Sequence, residues 1–239
     1  MKRAIRCLGN VLVAMMVASM VPSPLLADED VRYEGRTVAE WLAQMRRQPS
    51  DKEADAVVRA LSHFGPRAVP TLVAMLRDPD PGERNVAMWA FLVVGPAPKE
   101  ALPELIRLSV KDDNPDLRTM AELTAAPWLV HAPASDTLPA LLAALHDPDA
   151  DLRRAAAHWI ALVVRRRAGT VDPNLAAQIA SPLARVLRDV DVQRRREIIA
   201  TLGAIGPPAR AAIPELRRLI RDDPQTMREA EAAVHSIDR

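Results

Sequence analysis

Aromatic residues are nearly missing: four Trp, two Phe and one Tyr make up 3% of the 239 residues. Glycine is scarce too, at 8. A β-sandwich or barrel needs many tight turns and many aromatic or β-branched strand residues, so this composition argues against both. Net charge is only +1 at pH 7 while apolar residues reach 49%, which argues against a disordered chain. Cysteine occurs once, at Cys7, close to the N-terminus. A mature chain that lost Cys7 would have no disulfide, no thiol nucleophile and no thiolate metal site. No long hydrophobic span is present either: the Val11–Val21 run falls short of the roughly 20 residues a transmembrane helix needs. What remains abundant is Ala, Leu and Arg, all good helix formers, so the fold class is all-α.

The N-terminus reads as a targeting segment. Lys2, Arg3 and Arg6 precede the Val11–Val21 run, Pro22 and Pro24 break it, and Ala27 offers a small residue before Asp28-Glu29-Asp30. That is the layout of a secretory signal over residues 1–27. An uncleaved anchor is the alternative. Cys7 lies before the apolar run, where a lipoprotein cysteine would follow it, so lipid anchoring is not supported. Residues 28–36 form a short lead-in, and residues 37–239 are expected to form one domain. Charge is uneven in the remainder: residues 28–150 carry a net −7 and residues 151–239 a net +5. An Arg-rich C-terminal half of this kind suits an anionic partner.

A unit recurs five times. Its anchors are Pro70, Pro103, Pro139, Ser181 and Pro214, spaced by 33, 36, 42 and 33 residues. Apolar residues two, five and six places after the anchor form one helix face. An Asp closes this first helix, and six residues later comes an Arg: Asp78 and Arg84, Asp112 and Arg118, Asp147 and Arg153, Asp189 and Arg195, Asp222 and Arg228. Each of the first four Arg opens a second apolar stripe, and Gly65-Pro66, Gly95-Pro96 and Gly206-Pro207 close three second helices. A partial unit precedes these: Thr37 and Glu40 form a capping box ahead of Trp41 and Leu42, then Ala54 to Phe64 repeats the second-helix stripe. The total is about six helical pairs.

The Pro-x-Leu anchors, the Asp-to-Arg spacing and the Gly-Pro closures resemble the short HEAT-like repeats of exported bacterial proteins. The resemblance covers residues 37–239. It implies a right-handed α-α superhelix, an α-solenoid with first helices convex and second helices concave, and with Asp and Arg forming a ladder between units. The third unit departs from the pattern: it lacks Gly-Pro, and Pro127 is expected to interrupt its second helix. The fourth carries an insertion through Gly169-Thr170-Val171, with Asp172 and Pro173 placed to cap and start the next helix. Pro182 is expected to kink or split that helix. In the last unit the apolar stripe runs one residue out of phase with Arg228, as a terminal capping repeat allows.

Catalytic and metal motifs are missing. The five His (63, 131, 146, 158, 235) show no metal-ligand spacing, and there is no phosphate loop, nucleophile elbow or EF-hand. No cofactor and no catalytic residue is expected. The candidate partner-binding residues are Trp89, which lies off the buried stripe, and Trp128, next to Pro127, because Trp dominates binding hot spots. To these are added Arg165, Arg166 and Arg167 at a helix end, and Arg194 and Arg196 at a helix start, where cations are disfavoured. The expected function is a non-enzymatic exported scaffold, periplasmic or secreted, holding a protein partner on its concave surface. The alternative is an anionic envelope polymer bound by the Arg-rich half. A bilin lyase-like enzyme is a lesser alternative, because export removes its substrate. No nucleic-acid partner and no membrane span after signal cleavage are expected.

Overall fold

The computed structural model describes residues 31–47, 50–95, 99–167 and 171–239. The expected leader with Cys7, the lead-in residues 28–30, Pro96, and Gly169 and Thr170 of the insertion lie outside the described residues.

Among the described residues there are twelve α-helices and no strand. They are α1 (Val38–Met45), α2 (Asp51–Phe64), α3 (Val69–Met75), α4 (Pro81–Val94), α5 (Leu102–Lys111), α6 (Pro115–His131), α7 (Ala134–Leu145), α8 (Ala150–Arg166), α9 (Pro173–Val186), α10 (Val192–Ile205), α11 (Ile213–Asp222) and α12 (Met227–Ile237). Odd-numbered helices are the first members of the pairs and even-numbered helices the second. The even helices pack on one another in chain order from α2 to α12, and α5, α7, α9 and α11 do the same. The result is a two-layer α-solenoid. One apolar core runs between the layers from Val38 to Ile237. The residue two places after every anchor is fully buried: Leu72, Leu105, Leu141, Leu183 and Leu216 are each 0% exposed.

The turn inside each pair is built from short polar side chains. Asp78, Asp112 and Asp147 each accept the backbone N–H two residues on, at 2.8, 3.0 and 2.8 Å. That side-chain turn delivers the chain to a capping residue. Asp80, Asn114, Asp149 and Asp191 then cap α4, α6, α8 and α10, each accepting a first-turn N–H. Between pairs, Gly65 and Gly206 take φ values of 52° and 71°. Only glycine adopts that region readily, and each leads into a 3-10 turn that swings the chain back.

Proline acts differently at different anchors. Pro70, Pro103 and Pro214 sit in the first helical turn, where the N–H has no partner to lose. Pro139 lies inside α7, because that helix begins at Ala134. The expected break at Pro127 does not occur: α6 runs through it to His131. Nor does Pro182 split α9, which stays one helix from Pro173 to Val186 with Pro182 buried. Packing on both neighbouring helices outweighs the one hydrogen bond each proline removes.

The lead-in is more ordered than its sequence suggests. Tyr33 and Arg36 pair backbone to backbone at 2.9 and 3.0 Å across Glu34 and Gly35, both at positive φ. That is a two-residue hairpin turn. It sits over the open end of the first pair: Trp41 Nε1 donates to the Tyr33 carbonyl at 3.0 Å, and the Tyr33 ring lies 4.6 Å from His63.

Candidate interaction face

Solenoid helices have one face in the core and one in water. The ninth residue after each second-helix cap falls on the water side and forms a row across the layer: Trp89, Leu123, His158 and Ala200. Trp89 is half-buried, with part of its ring against the core. Leu123 is 58% exposed, the one large exposed apolar side chain found among the described residues. His158 lies beside Trp159, with Nδ1 3.5 Å from Glu197 Oε2. Further along α6, Pro127 is exposed and Val130 half-buried. Sequence reading missed Leu123, Pro127 and Val130. The available signal was the uncharged stretch from Leu123 to Val130, which leaves α6 with no polar outer side over two turns. Trp128, the other tryptophan singled out from the sequence, is half-buried and packs on the core edge.

The two Arg triplets do not meet. Arg165, Arg166 and Arg167 stand at the C-terminal end of α8, whereas Arg194 and Arg196 stand in the first two turns of α10, level with the start of α8. Parallel neighbours of this length put those ends roughly 20 Å apart. Arg167 donates to the Val130 carbonyl at 3.1 Å, which joins the end of α8 to the end of α6. Arg165 and Arg166 are exposed. Arg196 pairs with Glu229 at 3.0 Å and donates to the Gln225 carbonyl at 3.0 Å, so it ties α10 to the last pair. Arg194 is exposed, and its backbone N–H is held by the Asp191 cap.

Arg84 and Arg153 each link their pair to the next through the Asp that follows. Arg84 Nη1 donates to the carbonyl of Asp78 in its own turn, while Nε and Nη2 reach the Asp112 carboxylate in the next pair at 2.7 and 3.0 Å. Arg153 likewise holds the Asp147 carbonyl and reaches Asp189 at 3.3 Å. Arg118 holds the carbonyls of Asp112 and Asp113, but among the described residues it meets no carboxylate. The expected pairing of Asp222 with Arg228 needs correction. Arg195 reaches Asp223 at 2.7 Å, and it is Asp223 that accepts from Gln225 two residues on, so the turn starts one residue later. Six residues after Asp223 comes Glu229, the partner of Arg196, and Arg228 is exposed.

Burial alone would raise the Asp112 carboxyl, but hydrogen bonds from Arg84 and from the Asn114 N–H hold it below the ordinary value. Glu215 is pulled down to about 2, first by Arg188 and then, against the opposing effect of burial, by Arg218. Both Arg line a shallow cleft of about 400 Å³ near Leu187 and Leu219, together with Arg195, Asp222 and Asp223. Arg188 and Arg218 are held by Glu215 and Arg195 by Asp223, so the cleft offers an incoming anion no unpaired cation. Among the described residues no group of three or more His, Asp or Glu stands close enough to hold a metal ion, and no helix is long and apolar enough to cross a membrane.

A family model described as HEAT repeats matches residues 38–126 and 138–235. No curated protein matches the sequence. Solved structures of similar path include a designed armadillo repeat protein in complex with the peptide (KR)4, at 18% identity over 82% of this chain and 98% of that one, with a TM-score of 0.44. An engineered protein gives 18% identity over 84% and 96%, with a TM-score of 0.45. A second designed armadillo repeat protein gives 18% over 84% and 100%, also at 0.45.

Proposed function

We infer the function from one premise: the chain belongs to the HEAT-repeat family. Stacked helical pairs present an extended surface that needs no catalytic pocket. The protein is a non-enzymatic scaffold that holds a protein partner against the outer face of its second helices. The observation that carries this reading is Leu123, 58% exposed in the middle of that face with Trp89 on the adjacent helix. An exposed leucine in the middle of a helix layer, beside a half-buried tryptophan, offers apolar surface that a partner can cover. Export to the periplasm or the medium, after removal of residues 1–27, is supported by the basic start, the short apolar run and the small residue at Ala27.

An anionic envelope polymer is the less supported partner. Arg153, Arg154, Arg188, Arg195, Arg196 and Arg218 all hold carboxylates of this same chain, so these six are already engaged. The chain from residue 28 onward, used as bait in an envelope extract and washed with a salt gradient, tests both readings. A discrete protein that resists moderate salt supports the scaffold. Release of polysaccharide or other anionic material at low salt, with no protein retained, overturns it.

A further inference from the structure

The scaffold reading leaves the partner's chemistry unspecified, and the inference here rests on that reading. Leu123, Pro127 and Val130 are four and three residues apart, so they share one side of α6. That side is apolar where a water-facing helix is ordinarily polar. Pro127 has no N–H to give the Leu123 carbonyl, so the same side carries a backbone acceptor without its helical donor. The strip leads to a cationic edge, because the Arg167 bond to the Val130 carbonyl sets the end of α8 against the end of α6. Arg165 and Arg166 project from that edge, exposed, and form no ion pair with any described residue. The helix dipole accounts for cations at the end of α8. It does not account for an uncharged strip, exposed at Leu123 and Pro127, running up to them.

We propose that this strip and its edge are the docking site for an acidic, apolar protein segment. Apolar side chains of the segment cover Leu123 and Pro127, and its carboxylates meet Arg165 and Arg166. Charge complementarity selects this chemistry: a basic segment would bury like charges against the two guanidiniums, and an uncharged one would desolvate them without compensation.

A random peptide library displayed on phage, selected on the immobilised full chain, supplies the probe. Enriched peptides are then titrated by fluorescence anisotropy against the wild type, Leu123→Asp, Arg165→Glu with Arg166→Glu, and Arg194→Glu as a control. All four positions are exposed, and circular dichroism checks that each variant keeps its helices. The expected peptides combine apolar residues with Asp or Glu. Leu123→Asp weakens them about tenfold or more, the double Arg variant prefers their Lys-substituted forms, and Arg194→Glu changes nothing. Enrichment of basic peptides overturns the proposal, as does binding indifferent to Leu123→Asp. So does an unproductive library, including the case in which the chain forms a dimer that Leu123→Asp dissociates, which would make a second copy the occupant. The scaffold reading fares separately: a discrete envelope protein captured equally by wild type and Leu123→Asp keeps it and removes this site, whereas no protein captured by either removes both.

Discussion

Arg84 of α4 and Asp112 at the end of α5 belong to consecutive pairs and meet through two hydrogen bonds, of 2.7 and 3.0 Å, with the Asp112 side chain wholly buried. The same guanidinium holds the Asp78 carbonyl, so one side chain closes its own turn and grips the next pair. Removing one partner strands a buried charge. Asp112→Ala should cost about 3–5 kcal/mol in urea denaturation, and adding Arg84→Leu should restore much of it. A double-mutant coupling under about 0.5 kcal/mol would show that the pair is not a joint between repeats.

Leu141 and Leu123 have the same side chain and opposite surroundings, 0% and 58% exposed. Leu141→Ala should destabilise by about 2–5 kcal/mol. Leu123→Ala should change stability by less than about 0.5 kcal/mol. Equal effects in thermal melts would contradict the assigned faces of α6 and α7.

Glu215 links pH to stability near the C-terminal end. Arg188 binds both its oxygens, at 3.0 and 2.7 Å, and Arg218 binds one of them at 2.9 and 2.6 Å. Its folded pKa of about 2 lies below the ordinary 4.5, so its contribution is full above 4.5 and is lost as pH falls from there toward 2. Since Arg188 is 63% exposed and screened, Glu215→Gln should cost on the order of 1–2 kcal/mol at neutral pH. The gap between variant and wild type should close by about pH 2. A gap independent of pH would rule out the carboxylate as its source.

Gly203 lets α10 pack tightly on α12: a Cβ placed there would lie 3.2 Å from Ala233 Cα and 3.3 Å from its Cβ. Gly203→Leu should force the last helix away and cost about 1–3 kcal/mol. Hydrogen exchange should then speed up across Met227–Ile237 and not across α2 or α4. Uniform exchange would mean that the final pair is not held at this contact.

The repeat was legible because burial and turn chemistry act at short range. Pro70, Pro103 and Pro214, and the Asp-to-Arg spacing of six, place the first-helix starts and the carbonyl that Arg84, Arg118 and Arg153 each hold. Features that depend on neighbouring pairs were not legible. Pro127 and Pro182 read as breaks because a local rule cannot weigh the packing that keeps α6 and α9 whole. Asp222 was preferred to Asp223 because both are acidic, and only the Gln225 N–H and Arg195 tell them apart. The Tyr33–Arg36 hairpin rests on contacts to Trp41 and His63 that no periodicity encodes. At the interaction face, Trp89 and the Arg165 to Arg167 run were identifiable by residue type. Leu123 was not, because an exposed leucine and a buried one look alike in sequence.

The proposed protein partner lies against the second-helix layer. Benzoylphenylalanine placed at Thr119, on that face, and at Ala143, on the outer side of α7, tests it directly in cells. Irradiation should join a discrete protein to the chain from Thr119 and not from Ala143. A crosslink from Ala143 alone, or none from either position, would contradict the account.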